Sequence, residues 1–195
     1  MNFLSHLYLS GNSKGLLIGN YIADSVKGSA FHDFPEEIKK GIILHRNIDT
    51  FTDTHPIVEE SKSRLRQKYK KYAGVIVDVY YDHYLAANWN DYSEISLDEY
   101  TKTIYVLIDQ HKHTFPLKSQ QFTHYMLEHN ILSAYARLEG IERVLEGMSR
   151  RTTFQSNMEY AIADLKEHYH LFENEFRLFF PELKQFVGSK TEFNS

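Results

Sequence analysis

The sequence predicts an all-α fold, a single-domain helical bundle. Apolar residues recur at helical spacing in most segments, and few segments alternate strictly between apolar and polar residues as strands do. The 195 residues fit one domain, and no linker, internal repeat or low-complexity segment divides them. We therefore expect one helical domain over residues 1–188, followed by a disordered polar tail at residues 189–195.

Apolar periodicity and the residues that start or stop helices define the individual elements. A proline opens two of the helices, Gly28 ends the second, and Ser96 with Glu99 forms a capping box before another. We expect Pro181 to bend or end the last helix, because proline lacks the N–H that a helix interior requires. The predicted helices cover residues 2–10, 16–27, 35–55, 56–71, 75–86, 96–111, 115–129, 131–137, 141–151 and 154–187.

Composition excludes several classes of protein. A net charge of −4 argues against nucleic acid or anionic membrane as a partner held by broad electrostatic attraction. The absence of cysteine excludes disulfides and thiolate metal sites, and it fits a reducing compartment. The opening MNFLSHLYLSG lacks the basic region and cleavage site of a signal peptide, and no run reaches the ~20 apolar residues of a membrane span. The oligomeric state is not fixed by the sequence.

Two ionisable residues lie on the apolar face of the predicted helix over residues 35–55. Projected at 100° per residue, His45 and Asp49 lie on one stripe with Ile38 and Ile42. Burying an imidazole and a carboxylate there costs several kcal/mol unless something compensates. The compensation is a metal, a buried ion pair or a hydrogen-bond network.

A second pair lies on the predicted helix over residues 75–86. Asp78 and Asp82 are again four residues apart, and the rest of this helix is apolar on nearly every side, which predicts a central position. Two carboxylates on one face of a central helix repel each other and resist burial. A divalent cation resolves both problems.

The candidate ligand side chains are rich in oxygen, include imidazole and lack sulfur. Such a set suits Mn²⁺, with Mg²⁺ or Fe²⁺ as alternatives, better than a structural zinc site. A metal with open positions polarises a phosphoryl oxygen and activates water, so the predicted class is metal-assisted hydrolysis of a phosphate ester. The candidates are His6, Asp24, His45, Asp49, Asp78 and Asp82, with His83 adjacent, and the cations that could neutralise phosphate are Lys27, Arg46, Arg150 and Arg151.

Five sequence blocks follow one another in the order and spacing found in bacterial acyl carrier protein phosphodiesterases. The blocks are MNFLSHLYLS at residues 1–10, GNYIAD at 19–24, ILHRNIDTFTD at 43–53, VDVYYDHYL at 77–85 and EGMSRR at 146–151. The chain therefore resembles this family over nearly its whole length.

The resemblance implies an all-helical fold distantly related to the HD phosphohydrolases. It implies a cytoplasmic, Mn²⁺-dependent enzyme that removes 4′-phosphopantetheine from the serine of holo-acyl carrier protein. Acyl carrier proteins are generally acidic, so a basic patch near the site would guide docking. The adjacent His-Asp dyad of the HD group is absent, because Asp82–His83 has the reverse order, and its ligand map cannot be copied.

The expected roles combine the residue pattern with the resemblance. His45, Asp49, Asp78 and Asp82 are the predicted metal ligands. Asp24 or Asp78 is the predicted general base, and His6 or His83 the predicted donor to the leaving serine oxygen. Arg46, Arg150 and Arg151 would stabilise phosphoryl charge, and Lys27 would contact the substrate. Two other interpretations stay open: a phosphohydrolase of nucleotides or small phosphate esters, and a non-enzymatic helical binding module.

Overall fold

The computed structural model describes the backbone of residues 1–192 and the side chains of residues 1–190. Within this range the chain forms one helical domain without β-strands, which confirms the predicted all-α fold. Every helix in this range is too short or too polar to cross a lipid bilayer. The α-helices are α1 (Phe3–Leu9), α2 (Lys14–Ile22), α3 (Glu36–Thr54), α4 (Pro56–Tyr69), α5 (Ala73–Ala87), α6 (Leu97–His111), α7 (Leu117–Glu128), α8 (Ile131–Ala134), α9 (Leu138–Ser149), α10 (Ala161–Glu167) and α11 (Tyr169–Glu192).

Helix α5 is the centre of the bundle. It contacts α1, α4, α9 and α11, and its Tyr80, Tyr81 and Tyr84 side chains are fully buried. The rings of Tyr81 and Tyr84 pack against Phe176 of α11, with centroids 5.6 and 6.1 Å from the Phe176 ring. A helix that is apolar on nearly every side is expected to be buried, as this one is.

Two glycines allow α2 and α3 to touch through their backbones. A Cβ added at Gly19 would lie 2.1 Å from the carbonyl oxygen of Ile38 and 2.8 Å from the Cα of Gly41. Any larger residue would therefore push the helices apart. The close crossing places the side chains of Asn20 and His45 within hydrogen-bonding distance, with 2.9 Å between Oδ1 and Nδ1.

The bounds of several helices differ from the predicted ones, and two of these differences are large. The helix predicted over residues 16–27 ends at Ile22, and a 3₁₀ turn at Ala23–Ser25 carries the chain away from the helix axis. The helix predicted over residues 154–187 is two helices, α10 and α11, with a break at His168. Periodicity alone did not distinguish a continuous helix from two helices that bury the same face.

The C-terminal helix is longer than predicted. Helix α11 continues through Pro181, because buried apolar side chains on either side of the proline hold it against the core. It also extends through residues 189–192, which were predicted as tail, and Ser189 donates a 2.7 Å hydrogen bond to the carbonyl of Phe186. Residues 193–195 lie outside the described residues.

Candidate metal centre

Three side chains of types that can bind metals, from α1 and α3, lie close together. Nε2 of His6 lies 3.1 Å from Oδ1 of Asp49, and Nε2 of His45 lies 3.1 Å from Oδ2 of the same carboxylate. The two imidazole rings are stacked, with centroids 4.0 Å apart and 17° between their planes. One ligand atom from each side chain lies within 4.8 Å of the others. We call His6, His45 and Asp49 the triad.

Asn20 of α2 fixes the orientation of the His45 ring. The Asn20 amide nitrogen donates to the carbonyl oxygen of His6 at 2.8 Å and to Oγ of Ser10 at 2.9 Å, so its Oδ1 faces His45. Nδ1 of His45, 2.9 Å from that oxygen, must therefore be the nitrogen that donates a proton. This leaves Nε2 directed into the triad, as in metal sites where a ligating histidine donates its other N–H to a fixed acceptor.

Asp24 adds a second carboxylate beside the triad. It lies in the 3₁₀ turn that follows α2, and its Oδ1 is 3.3 Å from Nε2 of His45. Its side chain is 67% exposed, whereas the His45 side chain is 10% exposed. Asp24 is therefore available to a substrate or a water molecule.

The two stacked histidines have opposite protonation preferences. Burial and the nearby charge of His45 lower the pKa of His6 to about 4. Burial also lowers the pKa of His45, but hydrogen bonds to Asp24 and Asp49 outweigh it and raise that pKa to about 9. The pKa of Asp49 is lowered despite its burial, because both histidines hydrogen-bond to it. In the absence of a metal, the triad holds one cationic and one neutral imidazole near neutral pH.

We expect the two triad histidines to contribute most to the stability of the metal-free protein near pH 6.5. The folded pKa of His45, about 9, exceeds its ordinary value of 6.5, so its contribution is complete below pH 6.5 and lost as the pH rises through 9. The folded pKa of His6, about 4, is below the ordinary value, so the contribution of His6 falls as the pH drops from 6.5 through 4. Asp82 partly offsets this fall, because burial raises its folded pKa to about 6. After allowance for the exposed carboxylates, each change should amount to about 1–3 kcal/mol.

Urea unfolding in EDTA across this pH range measures both changes. In the His45→Gln variant, the free energy of unfolding should no longer fall above pH 6.5, and its dependence on pH below 6.5 should stay as in the wild type. A decline above pH 6.5 that is unchanged in this variant would show that His45 does not cause it.

The two predicted ligands from α5 lie outside the triad. Asp78 is half-buried, and its Oδ1 accepts a 3.0 Å hydrogen bond from the α-ammonium group of Met1. The same ammonium nitrogen lies 3.9 Å from Oδ1 of Asp49. Asp78 thus faces the triad across a cationic group and lines the same cavity.

Asp82, fully buried, anchors the N-terminus of α1. Its carboxylate accepts hydrogen bonds from the backbone N–H groups of Leu4 at 2.7 Å and Ser5 at 3.1 Å, and from the Ser5 hydroxyl. The first N–H groups of a helix have no partner within the helix, so a carboxylate there is favourable. Asp82 therefore has a structural function, which is to hold the helix that carries His6.

We expect Asp82→Ala to lower the free energy of unfolding by about 2–4 kcal/mol, because it leaves buried N–H groups without an acceptor. Asp78→Ala, one helical turn earlier, is the matched comparison and should have less than half this effect. Urea unfolding followed by circular dichroism measures both. Equal stability of Asp82→Ala and wild-type protein would show that Asp82 does not hold the N-terminus of α1.

His83 and Lys27, two other predicted site residues, are not brought to the triad. Nδ1 of His83 lies 2.8 Å from the carbonyl oxygen of Tyr135, and its Nε2 lies 2.9 Å from the hydroxyl of Tyr169. Both ring nitrogens of His83 thus have partners within the protein. The side chain of Lys27 is exposed in the segment that precedes α3.

The three predicted arginines have different surroundings. Arg46 donates two 3.1 Å hydrogen bonds to backbone carbonyls of residues 26 and 28, so it holds the segment that follows Asp24. Arg150 is exposed and pairs with Glu146 at 3.1 Å. Arg151 lines a groove next to the triad, and its guanidinium lies over the rings of Phe122 and Tyr125, 6.0 and 5.9 Å from their centroids.

The triad lines a cavity of about 270 Å³, which also includes Asp24, Asp53 and Asp78. A larger groove of about 610 Å³ adjoins this cavity. The cavity and the groove have five residues in common: Phe3, Tyr21, Asp24, Val75 and Met148. Eight of the 15 residues that line the groove are aromatic or aliphatic, and the exposed cations Lys118 and Arg151 also line it.

Sequence reasoning identified the triad residues but missed two features of their surroundings. Asn20 lies on the same predicted face as Asp24, and this pattern was the available signal for its contact with His45. Phe122 and Tyr125 of the groove lie on α7, where no local pattern relates them to a site.

Comparison with known proteins identifies the family. A family model described as acyl carrier protein phosphodiesterase matches residues 1–183. The acyl carrier protein phosphodiesterase of Photorhabdus laumondii is 32% identical over 97% of this chain and 96% of its own. That of Yersinia enterocolitica is 33% identical over 94% of this chain and 95% of its own. No solved structure matches significantly. This chain therefore belongs to the acyl carrier protein phosphodiesterase family.

Proposed function

We propose that this enzyme hydrolyses the phosphodiester between the serine of holo-acyl carrier protein and 4′-phosphopantetheine, with Mn²⁺ as its metal. The observation that carries the proposal is the convergence of two imidazoles and a carboxylate in a cavity that adjoins an apolar groove. Membership of the family supports the choice of substrate, because the relatives are named for action on acyl carrier protein.

The triad fits a divalent metal. It offers two nitrogens and one or two oxygens, a set that suits Mn²⁺ when sulfur is absent. Asn20 holds His45 with Nε2 directed inward, and Nδ1 of His6 is buried without a hydrogen-bond partner among the described residues. Because the Asp49 carboxylate can only accept, Nε2 of neutral His6 carries the proton in the metal-free protein, and that proton would move to Nδ1 when a metal takes its place. Bound there, the metal would polarise a phosphoryl oxygen and lower the pKa of a bound water.

Asp24 is the proposed general base. Its pKa is lowered mainly by the hydrogen bond from His45, so the loss of that proton when His45 becomes a ligand would make Asp24 a better base. Its exposed carboxylate can take a proton from the attacking water and return it to the leaving serine oxygen. Asp78 lines the same cavity and is the alternative base.

The proposed phosphate contact is Arg151 rather than Arg46. Arg151 is exposed along the groove, and its Nε bond to the Gly147 carbonyl, at 2.9 Å, leaves its terminal nitrogens available. Arg46 instead uses its side chain to hold two backbone carbonyls. His83 would have to break two internal hydrogen bonds to act as an acid, so it has no part in this proposal.

The groove is the proposed site for the pantetheine arm. Its volume of about 610 Å³ lies within the range typical of small-molecule sites. Tyr21, Phe122 and Tyr125 provide apolar walls, and the groove reaches the cavity that contains the triad. An arm lying along it would bring its phosphodiester end towards Asp24.

The test is incubation of purified enzyme with holo-acyl carrier protein and Mn²⁺, with and without EDTA, followed by mass spectrometry of the carrier. Loss of the phosphopantetheine mass only when metal is present is the expected result. If metal binds and the carrier keeps its mass, the proposal is overturned in favour of a hydrolase of nucleotides or small phosphate esters. If neither metal binding nor hydrolysis occurs, a non-enzymatic binding module is favoured.

A further inference from the structure

A surface next to the groove combines lysines with aromatic rings. Lys68, Lys70 and Lys71 line a depression of about 490 Å³ together with Tyr69, Tyr72 and Phe154. The described residues that line this depression include no carboxylate. We call these six residues the lysine surface. Such a cluster is notable in a chain whose net charge is −4.

The lysine surface adjoins the groove, which in turn adjoins the cavity that contains the triad. Tyr72 lines both the depression and the groove. The groove contributes two further cations, Lys118 and Arg151, against a single carboxylate, Asp24. A molecule that covered the lysine surface could therefore place an attached chain in the groove.

The lysines differ in how much of their charge is available to a partner. Lys68 pairs with Asp164 at 2.5 Å, which offsets its charge. Lys71 lies over the rings of Phe154 and Tyr72, with its ammonium 4.5 and 5.2 Å from their centroids, an arrangement that leaves the cation exposed. Lys70 is exposed as well, and its φ of 51° is a strained conformation for a residue with a Cβ.

Exposed aromatic side chains accompany these cations. Phe154 is 66% exposed, and Tyr160, which lines an adjoining depression with Lys68, is 65% exposed. Large exposed aromatic residues are typical of the surfaces that bind other proteins.

We propose that the lysine surface binds the acidic body of the acyl carrier protein while its arm occupies the groove. This inference rests on the proposed function, because it takes the carrier as the substrate. The carrier fits the surface by charge, since an acidic protein would face the exposed Lys70 and Lys71, and the described residues that line the depression include no carboxylate. It also fits by position, since the body of a carrier must lie outside a groove that admits only its arm.

The test separates binding from hydrolysis. The affinity of holo-acyl carrier protein is measured in EDTA by calorimetry for wild-type enzyme and for the double variant Lys70→Glu/Lys71→Glu. We expect the dissociation constant to rise at least about tenfold, as rim charge reversals weaken an electrostatic interface. Lys102→Glu, an exposed lysine on α6 outside the surface, is the matched control and should bind like wild type.

Two further measurements control for damage to the active site and for misfolding of the double variant. Mn²⁺-dependent hydrolysis of bis(p-nitrophenyl) phosphate, a small diester that needs no docking, should stay within about twofold of wild type in the double variant. Phe154→Ala keeps every charge and the backbone of Lys70, and it should also weaken carrier binding, so it tests the surface even where the double variant misfolds. Unchanged binding in both variants would overturn the proposal.

The outcomes also distinguish this inference from the proposed function. A carrier that binds through the lysines but keeps its prosthetic group would support docking and overturn the proposed reaction. A carrier that is cleaved equally well by all variants would support the reaction and overturn docking. Tighter lysine-dependent binding of an oligonucleotide than of the carrier would also overturn the inference.

Discussion

Asp49→Asn should weaken metal binding at the triad and lower kcat/KM for holo-acyl carrier protein by about 10²- to 10³-fold, the range for loss of one group that stabilises transition-state charge. Asp49 is the carboxylate that both His6 and His45 face, at 3.1 Å each. The amide that replaces it keeps the shape but carries no charge and is a weaker ligand. Metal content by mass spectrometry and initial rates with Mn²⁺ measure the two effects.

Asp53→Asn is the matched control for this variant. Asp53 lies one turn further along α3 and lines the same cavity, but its ion pair is with Lys62 at 3.7 Å rather than with the triad. It should retain metal and most of the activity. If the two variants lose activity equally, the cavity depends on its total negative charge and the triad has no special role.

Gly19→Ala should destabilise the protein by about 3 kcal/mol or more, the upper part of the range for overpacked cores. The added methyl would lie 2.1 Å from the carbonyl oxygen of Ile38, so α2 and α3 would have to separate. For a chain of this size the loss corresponds to a fall in Tm of about 6–12 °C. Separation would also break the bond between Asn20 and His45, so metal affinity should fall with stability.

Gly74→Ala makes the same chemical change at a site where there is room. A Cβ at Gly74 would meet only the Cδ of Lys62, at 3.6 Å, which is ordinary contact. Because alanine favours helix over glycine, stability should be unchanged or rise by up to about 1 kcal/mol. Thermal unfolding of both variants provides the comparison. A Gly19→Ala protein as stable as Gly74→Ala would show that the helix crossing can adjust.

The sequence predicts the contacts of the site that join residues close to each other in the chain. His45 and Asp49 lie one turn apart on α3, so periodicity alone places them together on the face that packs against α2. The same reasoning predicts the central position of α5 from its apolar composition, and the structure confirms it. His6 was predicted as a candidate ligand because it is an imidazole on a short apolar helix. Its contact with Asp49 joins residues that are 43 positions apart, and no local pattern predicts such a contact.

Asp82 shows why the remainder is harder to predict. Periodicity correctly indicates that this carboxylate is buried, but a buried carboxylate can be satisfied by a metal or by backbone N–H groups. Its partners, Leu4 and Ser5, are 78 and 77 residues away, and their N–H groups are available only because α1 begins at Phe3. The identity of the partner is therefore a property of tertiary packing.

The contact between Gly19 and Gly41 joins segments that are close in the chain, so forming it requires the closure of only a short loop. The α2–α3 hairpin can therefore assemble early in folding and bring His45 and Asn20 together. Only the backbone carbonyl of His6 contacts this hairpin through Asn20, whereas the start of α1 is held by Asp82, 77 residues from Ser5, so we expect the His6 side chain to reach its position later. The metal-binding rate during refolding should thus report the final closure of the bundle, not its first collapse.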